Sequence, residues 1–141
     1  DAVVNYREAS DLAAALAEAA PEGIDIYFDN VGGDHLEAAL AQANDHARFV
    51  LCGMIAGYNA EGGVKGPANI FLAIEKRISF QGLIASDHVA VFPEFTAAMG
   101  DWIRQGKVKL RETIHDGLES APDAFIGLFK GANTGKMLVR L

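Results

Sequence analysis

One short segment, residues 24–33, constrains the fold of this chain more than any other. It reads Ile-Asp-Ile-Tyr-Phe-Asp-Asn-Val-Gly-Gly, a mostly apolar strand that ends abruptly in a polar turn with two glycines. A helix is predicted directly after it, because Leu36, Ala39, Leu40 and Ala43 form one apolar helical face. In an open parallel α/β sheet, ligands bind just beyond the carboxyl ends of the strands. The segment therefore predicts a parallel sheet and one wall of a nucleotide crevice.

Strand and helix patterns alternate along the rest of the chain. Strands are predicted at 2–6, 24–28, 48–54, 78–85, 108–114 and 137–141, and helices at 11–20, 34–43, 68–76, 92–105 and 120–129. The third predicted strand contains the run Phe49-Val50-Leu51-Cys52, which is typical of a strand covered on both faces. Such alternation favours a mostly parallel α/β sheet flanked by helices.

Composition excludes several classes of function. The chain has 141 residues, which fits one domain, and a formal net charge of −7, which argues against binding to nucleic acid. Cys52 is the only cysteine, so no intrachain disulfide can form and a reducing cytoplasmic location is predicted. No apolar run approaches the roughly 20 residues of a membrane helix, so no membrane association is expected.

The sequence contains no motif for a metal site or for a serine hydrolase. The four histidines are scattered, without the spacing of metal ligands and without partner cysteines. No Gly-x-Ser-x-Gly elbow is present. The sequence therefore predicts no metal site and no serine nucleophile.

Five motifs, in order along nearly the whole chain, resemble one enzyme family. They are Asn5-Tyr6, Phe28-Asp29-Asn30-Val31-Gly32-Gly33, Cys52-Gly53-Met54-Ile55 with Tyr58-Asn59, Gln81-Gly82-Leu83-Ile84, and Gly131-Ala132-Asn133-Thr134-Gly135-Lys136. The resemblance is to the medium-chain dehydrogenase/reductase superfamily, and within it to the zinc-independent prostaglandin and alkenal reductases. These enzymes reduce conjugated carbon–carbon double bonds with NADPH. The resemblance implies NADP as cofactor and a small enone or alkenal as substrate.

The resemblance also implies which residues contact the cofactor. They are Tyr6, Asn30, Val31, Cys52, Gly53, Ile55, Leu83, Ile84, Asn133 and Gly135. Cys52 is expected to be a small buried side chain near the cofactor that does not react.

Each of these contacts has a plain structural alternative. Asn30 could serve only to form a tight turn, since Asn tolerates positive φ. Tyr6 could be an edge-strand aromatic. Leu83 and Ile84 could belong to the core, and the turn at Asn133 could simply end a helix.

Tyr58 is the candidate catalytic residue. Reduction of a conjugated double bond leaves an enolate oxygen, and a phenol can donate a hydrogen bond to it. The family places a tyrosine in an Ile-x-x-Tyr-Asn setting, which residues 55–59 match. Two alternatives stay open. Tyr58 could be a loop residue with a packed ring and a solvated hydroxyl, or a ribose hydroxyl of the cofactor could do the same work.

One expected motif is absent. A dinucleotide site needs Gly-x-Gly-x-x-Gly between its first strand and first helix, and the chain has none at such a place. The resemblance implies that this chain is the C-terminal part of a longer reductase. Residues 1–132 would belong to the nucleotide-binding domain, a partial Rossmann-like sheet without its first two strands. Residues 133–141 would be a terminal strand of the catalytic domain, and the isolated chain would be inactive.

Loss of two strands would leave 24–28 as an exposed apolar sheet edge, which favours self-association. A homo-oligomer is therefore predicted, through this edge or through the strand at 78–85, which the family uses for dimer contacts. Two rival functions are a quinone reductase of the same superfamily and a self-associating module without catalysis.

Overall fold

The computed structural model describes residues 2–61 and 65–141, which form two compact units that divide after Asp87. Helices of the first unit are α1 (Leu12–Ala19), α2 (Gly33–Gln42) and α3 (Leu72–Glu75), and its strands are β1 (Ile24–Asp29), β2 (Ala43–Leu51) and β3 (Ser79–Gly82). Single 3₁₀ turns cover Ile55–Gly57 and Leu118–Ser120, and two short 3₁₀ turns separated by a kink at His88 lie within Ala85–Val91. The second unit has α4 (Phe92–Arg104), β4 (Glu112–Asp116), α5 (Ala121–Phe129) and β5 (Lys136–Arg140).

The first unit is built on a parallel sheet in the order β1-β2-β3. Tyr27, Phe49 and Phe80 are neighbours across the three strands. Their rings pack in a row, with centroids 5.1 Å and 5.4 Å apart. Phe49 is fully buried together with Leu40 of α2, so one face of the sheet forms the core with this helix.

β1 is an edge strand, as the sequence predicts. It pairs with β2 on one side, and no other strand of the described residues pairs with it. Ile26 and Phe28 lie on the sheet face opposite Tyr27 and are 60% and 53% exposed. The expectation of an exposed apolar edge is confirmed, whereas self-association stays a prediction.

The second unit is a parallel pair, β4 and β5, joined through α5. Ala124 of α5 is its one fully buried apolar residue among those described. The predicted helix over 92–105 forms as α4, but Phe95 and Trp102 of its apolar stripe are 54% and 45% exposed. β5 pairs with β4 inside this unit, and the predicted domain boundary after residue 132 stays a prediction.

Three sequence predictions of elements are wrong. Residues 2–6 form no strand: the backbone turns after Asn5, whose carbonyl accepts hydrogen bonds from the N–H groups of Glu8 and Ala9. Val108 is not in β4 because its N–H bonds to the Trp102 carbonyl and closes the end of α4. Of the helix predicted at 68–76, only α3 is regular, preceded by a turn in which the N–H of Leu72 bonds to the carbonyl of Asn69.

The fold class itself is confirmed. Every strand pairing among the described residues is parallel, and helices connect the strands. This is the partial Rossmann-like α/β arrangement that the sequence predicts.

Candidate functional site

The turn after β1 is organised by a buried carboxylate. Asp29, the last residue of β1, is 1% exposed, and its Oδ1 accepts hydrogen bonds from the N–H groups of Val31 (2.8 Å) and Gly32 (2.9 Å). Gly32 has φ +70° and the Cβ of any other residue there would come 3.0 Å from Met54 Cγ, so glycine fits this position. Asp29 was not among the predicted site residues, although a carboxylate between a strand and an Asn-x-Gly turn is a signal that could have found it.

The segment after β2 is bonded to this turn. The N–H groups of Cys52 and Gly53 donate to the Asp29 carbonyl, at 2.8 Å and 3.0 Å. Ile55 donates to the carbonyl of Asn30 at 3.3 Å. The next residue, Ala56, donates to the carbonyl of Val31 at 3.0 Å. The structure thus brings together the predicted site residues Asn30, Val31, Cys52, Gly53 and Ile55 at the carboxyl ends of β1 and β2.

Tyr58 is close to the same edge. It follows the 3₁₀ turn Ile55–Gly57, and its side chain is 68% exposed. Its hydroxyl oxygen lies 3.5 Å from the point that a Cβ on Gly53 would occupy, and the Asn30 carbonyl oxygen lies 3.2 Å from that point. The phenol therefore lies beside the strand-end backbone, within reach of a ligand there.

Beside this edge lies an open cleft of about 330 Å³. Gly33 and Asp34 at the start of α2 line one side, and Ala56, Gly57 and Ala60 line the other. The cleft is therefore continuous with the residues that follow both strand ends.

The end of β3 joins the same edge. The N–H of Leu83 donates to the carbonyl of Leu51, the last residue of β2, at 2.9 Å. Ile84 is 64% exposed, so the alternative that it is a core residue is wrong, and Leu83 is half-buried.

Cys52 is exposed, and the expectation of a buried side chain is wrong. The ladder between β1 and β2 ends at Leu51, so Cys52 lies just beyond the packed sheet. Cys52 nevertheless lies at the predicted edge of the sheet, where its exposed side chain is next to the backbone of the strand ends.

Tyr6 lies apart from the hydrogen-bonded strand ends, near the start of α2. Its ring is in edge contact with His35, with centroids 4.8 Å apart, and the Arg7 guanidinium is 5.9 Å from the ring centroid. The tyrosine is 52% exposed, which leaves the ring accessible to a ligand.

Asn133 and Gly135 form a tight turn in the second unit. The Asn133 amide donates to the Gly135 carbonyl at 2.6 Å, and Gly135 has φ +77°. A Cβ on Gly135 would approach the Arg111 carbonyl oxygen to 1.9 Å, so only glycine fits.

Asp29 also affects a neighbouring phenol. Burial, together with the neighbouring Asp29 carboxylate, raises the pKa of Tyr27 far above its ordinary value, so this phenol stays neutral. Within the described ranges, no three His, Cys, Asp or Glu side chains lie close enough together to hold a metal ion. No helix in the described part of the chain is long and apolar enough to cross a membrane.

Comparison with known proteins identifies the family. Residues 1–139 match the family model described as zinc-binding dehydrogenase. The chain is 44% identical over 139 residues to a 2-alkenal reductase (NADP(+)-dependent) of Nicotiana tabacum, covering 99% of this chain and 40% of the relative. It is 45% identical over 138 residues to the NADPH-dependent curcumin reductase of Escherichia coli K12, covering 94% and 40%.

The same relationship holds for a solved structure. CurA from Vibrio vulnificus, crystallised in complex with NADPH, superposes with a TM-score of 0.82 at 45% identity, over 94% of this chain and 41% of that protein. The chain thus spans about two fifths of the length of the relatives it matches. Because the family model covers nearly the whole chain and the resemblance seen in its motifs agrees with these relatives, the chain belongs to the zinc-binding dehydrogenase family, in its group of NADP-dependent medium-chain reductases.

Proposed function

We propose that the protein containing this chain reduces the conjugated double bond of an enone or alkenal with NADPH, and that this chain forms one wall of the cofactor site. The observation that carries the proposal is the strand-end edge, where the segments after β1 and β2 are hydrogen-bonded together beside the Tyr58 hydroxyl. The names of the relatives, a 2-alkenal reductase and a curcumin reductase, support this substrate class.

The residues present fit one side of a dinucleotide. Parallel strand ends leave backbone groups facing a crevice, and the absence of a side chain on Gly53 lets the Asn30 carbonyl and the Tyr58 hydroxyl lie close to its backbone. The residues that would contact the cofactor are Tyr6, Asn30, Val31, Cys52, Gly53, Ile55, Leu83, Ile84, Asn133 and Gly135. NADPH, when bound, would supply the hydride for the β carbon of the substrate.

Tyr58 has the role of hydrogen-bond donor in this proposal. As the substrate gains hydride at its β carbon, negative charge develops on the carbonyl oxygen and needs a donor. The exposed phenol of Tyr58 can donate its O–H to this oxygen, which lowers the free energy of the enolate. The α carbon then takes up a proton to complete the reduction.

Zinc has no part in this proposal. The family name implies zinc, but the described residues do not bring together a set of three ligands.

A substrate panel on the full-length protein tests the function. We expect oxidation of NADPH with alkenals and enones, slower oxidation with quinones, and a loss of about 10²-fold in kcat for Tyr58→Phe. Preference for quinones would favour the quinone reductase, and binding without turnover of any substrate would favour a non-catalytic module.

The isolated chain is proposed to be inactive. It has no Gly-x-Gly-x-x-Gly loop to hold the pyrophosphate. We expect no turnover from the 141 residues alone under conditions in which the full-length protein is active. Measurable turnover by the isolated chain would contradict this.

A further inference from the structure

Asp29 connects two parts of the strand-end edge. It is the one buried polar or charged residue among those that the structure describes. Its carboxylate binds the turn that follows β1, and its backbone carbonyl accepts from Cys52 and Gly53 after β2. A single buried residue is thus bonded to both segments that carry predicted site residues.

The two oxygens of the carboxylate have different surroundings. Oδ1 accepts two N–H groups, whereas Oδ2 is buried, and the carboxylate also interacts with the neighbouring Tyr27 phenol, whose pKa it raises. Hydrogen bonds to a charged acceptor are about twice as strong as neutral ones. The two bonds to Oδ1 therefore hold the turn firmly in one conformation.

The bonds from Oδ1 also determine what the turn can bind. A glycine turn at the start of a helix usually offers free N–H groups to a phosphate. Here the N–H groups of Val31 and Gly32 are already bonded to Asp29. The turn therefore presents the Asn30 side chain, exposed in the structure, rather than a phosphate cradle.

The fixed turn sets the position of the next segment. The carbonyls of Asn30 and Val31 accept from Ile55 and Ala56, the residues that lead into the 3₁₀ turn before Tyr58. A change in the turn at 30–32 would move these two carbonyls and release residues 55–56.

We infer that Asp29 is a positioning residue of the cofactor wall: its carboxylate fixes the turn at 30–32 and, through the carbonyls of that turn, residues 55–56. This inference rests on the proposed function for its effect on NADPH. Its structural part stands on the hydrogen bonds alone. Both parts can therefore be tested separately.

Three variants of the full-length protein test it. Asp29→Ala removes the acceptor for Val31 and Gly32. Asp29→Asn keeps an oxygen at Oδ1 and removes only the charge, so it is the conservative rescue. Asp25→Ala is the matched control, because Asp25 is an exposed carboxylate on the same strand whose Oδ1 accepts from the Asn44 amide.

Amide hydrogen exchange is the readout that needs no cofactor. In Asp29→Ala we expect exchange at least about tenfold faster at Val31 and Gly32 and also at Ile55 and Ala56. Cys52 and Gly53 should change little, because their acceptor is the backbone carbonyl of residue 29. Asp29→Asn and Asp25→Ala should stay close to the wild type. Acceleration confined to Val31 and Gly32, or spread evenly over the first unit, would overturn the inference.

NADPH titration, at a temperature where all variants are folded, gives the second readout. We expect the Kd of Asp29→Ala to rise about tenfold and that of Asp29→Asn to stay within about threefold of the wild type. An unchanged Kd in Asp29→Ala, with a wild type that binds, would overturn the role in the cofactor wall. A wild type that does not bind NADPH would overturn the proposed function, and the exchange pattern alone would then decide whether Asp29 positions the two segments.

Discussion

The two units of the chain bury their apolar residues very differently. In the first, Phe49 and Leu40 are completely buried between the sheet and α2. In the second, the rings of Phe125 and Phe129 pack against each other with their centroids 5.3 Å apart, yet these residues are 61% and 55% exposed. Helices and strands form in both, so regular elements here do not depend on a closed core. Burial depends on how many layers each unit brings together.

The largest effect expected from this contrast is on stability. Phe49→Ala should lower the free energy of unfolding by about 3–5 kcal/mol, because it leaves a cavity in a closed core. Phe129→Ala, the control in the second unit, should cost less than about 1.5 kcal/mol, since its ring is already half-exposed. Urea titrations followed by circular dichroism measure both. Equal losses would show that the two units are packed alike.

Backbone conformation gives the next effect, in the second unit. Gly135→Ala should lower stability by about 2 kcal/mol, because φ is +77° and the new Cβ would meet the Arg111 carbonyl. Gly82→Ala is the control, since nothing lies within 4 Å of its Cβ position. In thermal unfolding, the midpoint temperatures of the two variants should differ by several degrees. A Gly135→Ala variant as stable as Gly82→Ala would show that the turn at Asn133 adapts easily.

The same difference explains what sequence could predict. β1, β2 and α5 were predictable because strand and helix periodicity is local. The expectation that the run at 49–52 is covered on both sheet faces is wrong, since Phe49 is fully buried whereas Val50 and Leu51 are only half-buried. The strand expected at 2–6 failed because a strand needs a partner, which no local pattern supplies. Instead, the chain turns at Asn5. Cys52 was misplaced for a related reason: an apolar residue beyond the last ladder pair is not covered by the sheet.

The site was predictable to a similar extent. Asn30 was expected at the crevice because it follows a parallel strand, whereas Gly53 and Ile55 were expected there from the family resemblance alone. The hydrogen bonds that join them, and the buried Asp29 carboxylate, depend on how two turns meet in space. Contacts between two turns leave no repeating pattern in the sequence, so the sequence alone could not predict them.

A smaller effect is expected on catalysis. Gly53→Ala should lower kcat roughly tenfold in the full-length protein, because the new Cβ would lie only 3.2 Å from the Asn30 carbonyl oxygen and would shift the strand-end backbone beside Tyr58. Gly66→Ala is the control, because no atom of the described residues lies within 4 Å of its Cβ position. Steady-state rates with an enone and NADPH check this. Equal rates in both variants would mean that the position of Tyr58 does not matter.

The smallest effect concerns the edge strand. Ile26 lies 60% exposed on β1, and an apolar edge strand favours pairing with another chain, whereas lysine on an edge opposes it. We expect the isolated 141-residue chain to self-associate, and Ile26→Lys to shift it toward monomer with little change in secondary structure. Val3→Lys is the control, since Val3 is 99% exposed and lies outside any strand. Size-exclusion chromatography with light scattering gives the mass of each. A monomeric wild type would show that exposure of β1 does not by itself drive association. An oligomer that Ile26→Lys leaves intact would mean that the contact lies elsewhere. β3, at the opposite edge of the sheet, would then be the next strand to mutate.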